Sequence, residues 1–131
     1  MFVIHMVEND RLMVGRLEGI LDAGTTEGIV EFIEIKEAQV ETGFNRFCDL
    51  SRMESIQLSC EDIHQLAGRR REHNPNDIKV KSAILATNPL AFGIARMYEQ
   101  LLNSPRIEVR VFDDLQGAAA WLGVPRNCLT A

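Results

Sequence analysis

No stretch of this 131-residue chain is apolar over the about 18 residues that a bilayer crossing needs. Met1 runs straight into Phe2-Val3-Ile4-His5-Met6-Val7 without a basic segment, so no secretory leader is expected. Cysteine is scarce: Cys48, Cys60 and Cys128 are odd in number and form no CxxC. That argues against a disulfide framework and for reduced thiols in a cytoplasm. Positive charge is short as well, with 14 Lys and Arg against 19 Asp and Glu and a formal charge of -5. The balance excludes sequence-independent nucleic-acid binding, which rests on neutralising phosphates, and charge-driven docking on an anionic membrane. No Walker loop, HExxH, GxSxG or dinucleotide fingerprint occurs. Linkers and low-complexity segments are missing too. One domain over residues 1–124 is expected, followed by a patternless and mobile tail over 125–131.

What is present is an ordinary globular composition, 46% hydrophobic and 25% charged, on a chain long enough to bury a core. Val80 to Ala86 is an apolar run with the character of a buried strand. Asn88-Pro89 then starts a helix, because Asn caps and proline's missing N–H costs nothing at the first helical position. Leu90, Ala91, Ile94, Met97, Tyr98, Leu101 and Leu102 follow at helical spacing, opposite Arg96, Glu99, Gln100 and Asn103.

The same strand-then-helix unit recurs along the chain. Phe2–Val7 and Arg11–Leu17 read as an N-terminal hairpin turned at Glu8-Asn9-Asp10. Asp22 caps a helix to about Val40, with Ile29, Phe32, Ile33 and Val40 toward the sheet and Glu27, Glu31, Glu34 and Glu41 as a solvated acidic stripe. Phe44–Leu50 is a third strand and Ser51–Leu58 a loop. Ser59 opens a second helix in a capping box with Asp62, carries Ile63, Leu66 and Ala67 inward, and ends in Arg69-Arg70-Arg71, where the helix dipole favours cations. His73 to Asp77 stops it. Ile107–Phe112 is the fifth strand, and Asp113 or Asp114 caps a last helix to Leu122, closed by Gly123. The expected fold is α/β: a five-stranded, mostly parallel sheet with an N-terminal β-hairpin and four helices.

Two segments carry a family likeness. Arg16-Leu17-Glu18-Gly19-Ile20-Leu21-Asp22-Ala23 resembles the second-strand-to-first-helix signature of STAS domains, the sulfate-transporter and anti-sigma-factor-antagonist family. Asp49-Leu50-Ser51 resembles the family's strand-end motif. The C-terminal half, NPLAFGIARMYEQLL and VRVFDDLQGAAAWLG, resembles the SpoIIAA-like group of small bacterial proteins more narrowly. The resemblance implies a β–α superhelix with helices largely on one side of the sheet, in a non-enzymatic interaction or signalling module with a protein partner or a homodimeric state. In the antagonists a serine at the start of the second helix is phosphorylated. Ser59 is its positional match here, but the neighbouring Asp and Gly of that motif are absent, and Glu61 and Asp62 would repel a phosphate.

Candidate chemistry is sparse. Asp49, Ser51, Thr87 and Asn88 would end neighbouring parallel strands, beside a helix start whose free N–H groups suit an anion, with Arg96 further along that helix. Gly93 would let a backbone or ligand approach closely. The plain alternatives are turn residues, a packing glycine and an Arg96–Glu99 surface pair. Cys60 and His64 are four apart on a helix, too little for a metal set or a nucleophile pair. No cofactor and no metal are expected. Phe92, Met97, Tyr98 and Trp121 are core side chains or part of an apolar patch for dimerisation or a lipid-like ligand. A small apolar or anionic molecule held between helices is therefore the alternative to a protein-binding module.

Overall fold

A computed structural model describes residues 1–9, 11–73 and 78–130. Its elements are β1 (Phe2–Val7), β2 (Leu12–Asp22), α1 (Ala23–Gln39), β3 (Asn45–Gln57), α2 (Cys60–Glu72), β4 (Val80–Leu85), α3 (Pro89–Leu102), β5 (Ile107–Phe112), α4 (Leu115–Leu122) and α5 (Arg126–Thr130). The strands form one sheet in the order β1-β2-β3-β4-β5. β1 runs antiparallel to β2, and every later pair is parallel. This is the expected α/β sheet with its N-terminal hairpin. Glu8 and Asn9 both take φ of 55° at the hairpin turn, and the Arg11 N–H donates to the Glu8 carbonyl at 3.2 Å. Asp10, also assigned to that turn, lies outside the described residues, as do Asn74, Pro75, Asn76 and Asp77 of the expected stop after α2.

The helix starts follow local chemistry. Asp22, Ser59, Asn88 and Asp114 each accept a backbone N–H three residues on, from Thr25, Asp62, Ala91 and Gly117. Asp62 also accepts the Ser59 N–H at 2.9 Å, completing the capping box. Gly123 closes α4 at φ 73°, a left-handed conformation that glycine takes without penalty.

Three expectations need correction. β2 continues through Gly19–Asp22, and Ser51–Gln57 is strand, not loop: Glu18–Asp22 pair in parallel with Arg52–Gln57. Register shifts at Arg16/Glu18 and Gly19/Ile20 break the alternation there, which is why the segment has no strand pattern in sequence. The tail is not patternless either, because Arg126–Thr130 forms α5 and buries Leu129 beside Phe47 and Leu122. The described residues therefore hold five helices, and they divide between the faces: α1, α2 and α3 cover one, α4 and α5 the other.

Strand alternation sorts the side chains between these faces. Phe47, with Leu12, Val14, Ala83 and Leu85, packs on Ala118, Ala119, Leu122 and Leu129. Arg46, Cys48 and Leu50 point the other way, toward α1–α3. On that face the buried side chains fall into three groups, around Leu17 and Ala95, around Met13 and Phe44, and around Ala67 and Leu102.

Candidate functional site

Between those groups lies a half-enclosed chamber of about 130 Å³. Its floor is the sheet and its roof is α1, α2 and α3, through Val30, Ile63 and Ala95 among others. The wall residues run from Met13 and Arg46, paired at one end of β2 and β3, to Leu21 and Leu58 at the other. At about 3.3 Å per strand residue that span is roughly 25 Å, so the space is drawn out along the strands and narrow. Walls of Ile, Leu and Val make it apolar for most of its length.

One end is charged. Arg46 is 4% exposed and Arg70 2% exposed, and both reach the carboxylate of Glu37. Arg70 gives Glu37 two hydrogen bonds, of 3.1 and 2.8 Å, while both terminal nitrogens of Arg46 reach Glu37 Oε2 at 3.3 Å. His73 Nδ1 lies 3.1 Å from the same carboxylate. The Arg46 guanidinium also rests on the Phe44 ring, 4.6 Å from its centroid, and donates to the Phe44 carbonyl at 3.3 Å. Burial pushes the Arg46 pKa down against the upward pull of Glu37. Its Nε is buried without a hydrogen-bond partner among the described residues. Tyr98 lines the same chamber, with its pKa raised by burial and pulled back by Arg70 and Arg46. The Cys48 thiol is pushed up to about 12 by burial, so it stays protonated and unreactive.

These charges escaped the sequence reading for an identifiable reason. Arg70 sits seven residues after Ile63 and three after Ala67, on the buried stripe of α2, yet as one of three consecutive arginines it passes for a dipole cation. Glu37 stands four after Ile33 and seven after Val30 on the buried side of α1, and is absent from the acidic stripe of the opposite side. Arg46 occupies an inward strand position next to Phe47 and Cys48. Each is a charge on an apolar face, and that mismatch was the available signal.

The residues singled out from sequence do not gather at this chamber. Asp49 alternates with Cys48 and Leu50 and so points to the other face, where it pairs with Arg16 at 3.8 Å and accepts the Ser51 N–H at 2.8 Å. Register places it beside Leu85, two residues before Thr87. Asn88 is occupied as the α3 cap. Pro89 has no N–H, Ala91 and Phe92 donate to Asn88, and the anion-binding start expected here reduces to the Leu90 N–H. Arg96 is not at this edge: it stands about two turns along α3 and pairs with Glu99, as the plain alternative had it. A Cβ on Gly93 would meet nothing within 4 Å, so no chain element approaches it closely. The Ser59 hydroxyl is engaged in capping, accepting the Asp62 N–H at 3.1 Å. Glu27, Glu31 and Glu41 are exposed, while Glu34 holds Arg69 through bonds of 3.1 and 2.7 Å. Among the described residues no group of three His, Cys, Asp or Glu side chains could hold a metal ion, and no helix is long and apolar enough to cross a membrane.

No family model matches the chain, and no curated protein does. Among solved structures it is similar to an uncharacterised protein from Shewanella loihica PV-4, of the DUF3478 family, described as having a SpoIIAA-like fold. The two are 18% identical, with a TM-score of 0.60 over 93% of this chain and 92% of that one. The fold is therefore SpoIIAA-like, in agreement with the resemblance of the sequence.

Proposed function

We propose that this chain is a non-enzymatic binding domain that holds a small apolar molecule between its sheet and α1–α3. The chamber of about 130 Å³ carries the reading. An apolar cavity near 150 Å³ suffices to take up a molecule such as benzene, so the space is of ligand size. Catalysis finds little support nearby. Cys48 is held as a thiol, Cys128 is tied to Glu8 at 3.1 Å, and Cys60 is exposed at the start of α2. Three free cysteines suit a reducing cytoplasm. Native mass spectrometry of freshly purified protein tests the proposal: a retained small mass, or a thermal shift with short-chain apolar compounds, is expected. No retained mass and no shift across such a panel would remove it.

A second reading, a protein-binding or homodimeric module, is favoured by the start of α3, where Leu90 is 55% and Phe92 37% exposed. Size-exclusion chromatography with light scattering, on the chain and on its Leu90→Glu variant, tests it. A monomer in both, with no protein captured by either, contradicts it.

A further inference from the structure

The order β1-β2-β3-β4-β5 leaves β1 and β5 at the edges of the sheet, each with one unpaired side. At β5 the Arg106 carbonyl accepts the Val80 N–H at 2.8 Å, and the Phe112 carbonyl accepts the Ala86 N–H at 2.9 Å. Parallel pairing turns every second residue of a strand toward its neighbour, so Glu108 and Arg110 also spend their main chains on β4. The N–H and C=O groups of Val109 and Val111 therefore point outward, without a partner among the described residues, and so does the Ile107 carbonyl. The Ile107 N–H reaches the Ser104 hydroxyl at 3.3 Å. Such a row of main-chain groups is a template for a further strand.

The side chains on this edge are charged in a self-complementary way. Glu108 and Arg110 are exposed, two residues apart, and so on one face of the sheet. Neither has an ion-pair partner among the described residues. Arg110 lies over the Trp121 ring, 5.5 Å from its centroid, and Lys81, beside Glu108 in register, gives its ammonium to the Trp121 carbonyl at 3.0 Å. A charge on an edge strand ordinarily discourages strand addition. Here two opposite charges flank Val109, and a twofold axis through that residue sets each against its opposite in a second copy. A register shifted by two residues would set Glu108 or Arg110 against itself. β1 carries no Asp, Glu, Lys or Arg that could choose a register.

We propose that two copies of this chain pair antiparallel through β5, with Val109 on the axis and Glu108 opposite Arg110 on either side of it. Val109 exchanges both main-chain hydrogen bonds with its copy, and each Val111 N–H reaches the other copy's Ile107 carbonyl. Glu108 and Arg110 then fall in the closely spaced, non-hydrogen-bonded pairs, about 4.5 Å between Cα atoms, where opposite charges favour pairing. The proposal rests on the homodimeric reading above, moves the contact from the start of α3 to β5, and is independent of the chamber.

Sedimentation velocity of the full chain over a concentration series tests it. The parent should dimerise. Glu108→Arg and Arg110→Glu each bring like charges face to face, and each should weaken the dimer by about tenfold or more. An equimolar mixture of the two variants should dimerise as the parent does, because every pair is then opposite in sign again. Both positions are exposed, so neither change should lower the melting temperature appreciably. Leu90→Glu should dimerise like the parent. A dimer that survives both charge reversals, or that the mixture fails to restore, would overturn pairing through β5, and loss of the dimer in Leu90→Glu would return the contact to α3. A monomer at every concentration would overturn the homodimeric reading as well.

Discussion

Against α4 and α5 the sheet presents Leu12, Val14 and Phe47 to a short helix whose inward residues are Ala118, Ala119 and Leu122. Small side chains on the helix let its backbone approach the sheet closely, and large ones on the strands fill the space between. Against α1–α3 the same strands present Arg46, Cys48 and Leu50, and the helices answer with Val30, Ile63 and Tyr98 around a space of about 130 Å³. One sheet thus has a filled face and an unfilled one, and the buried ions Arg46, Glu37 and Arg70 lie on the unfilled one. Replacing a buried ion pair by apolar side chains often leaves stability unchanged or raises it. The stability they give the fold therefore does not account for the charges at the chamber.

The contrast makes graded predictions for chemical denaturation at pH 7. Phe47→Ala, which opens the filled face, should cost about 3–5 kcal/mol. A loss below about 1 kcal/mol would mean that this face is not packed as described. Leu129→Ala should cost about 2–5 kcal/mol, since α5 completes the same cluster; no loss would return residues 126–130 to the status of a loose tail. A matched pair then compares the faces directly. Ala119→Leu should destabilise by about 1–3 kcal/mol through overpacking, whereas Ala95→Leu adds its methyl groups on the chamber side and should cost under about 1 kcal/mol. Equal penalties would erase the difference between the faces.

The smallest effect is at the surface between α1 and α2. The Arg69 guanidinium holds the Glu34 carboxylate below its ordinary pKa. A carboxylate depressed in the folded state adds stability above its unfolded pKa and loses it as pH falls through the folded one. Arg69 is 44% exposed, so solvent screens the pair, and Glu34→Gln should cost only about 0.2–1 kcal/mol at neutral pH. The difference from the parent should vanish on the acid side of the folded pKa. A difference that grew with acidity would contradict the pairing.

What the sequence disclosed and what it concealed divide by range of interaction. Asp22, Ser59, Asn88 and Asp114 cap the helices assigned to them, because a cap is settled within four residues. The parallel strand pattern was legible for the same reason, in the alternation of short apolar runs with amphipathic helices. Ser51–Gln57 was misread since its strand character comes from Glu18–Asp22, more than thirty residues away, across two register shifts. α5 is five residues long and held through Leu129, a contact that no local pattern announces. The chamber's ions come from α1, β3 and α2, and only the fold shows that Glu37, Arg46 and Arg70 share one place. The expected rim site failed to converge because Asp49 alternates onto the opposite face and Asn88 is used as a cap.

The most direct measurement is methyl-resolved NMR of the full chain titrated with benzene. Saturable shifts at Ile63, Ile84, Ile94 and Leu58, with the methyls of Leu12 and Leu122 on the filled face unmoved, are the predicted result. Shifts confined to the exposed Leu90 region, or none at all, would contradict a ligand held between the sheet and α1–α3.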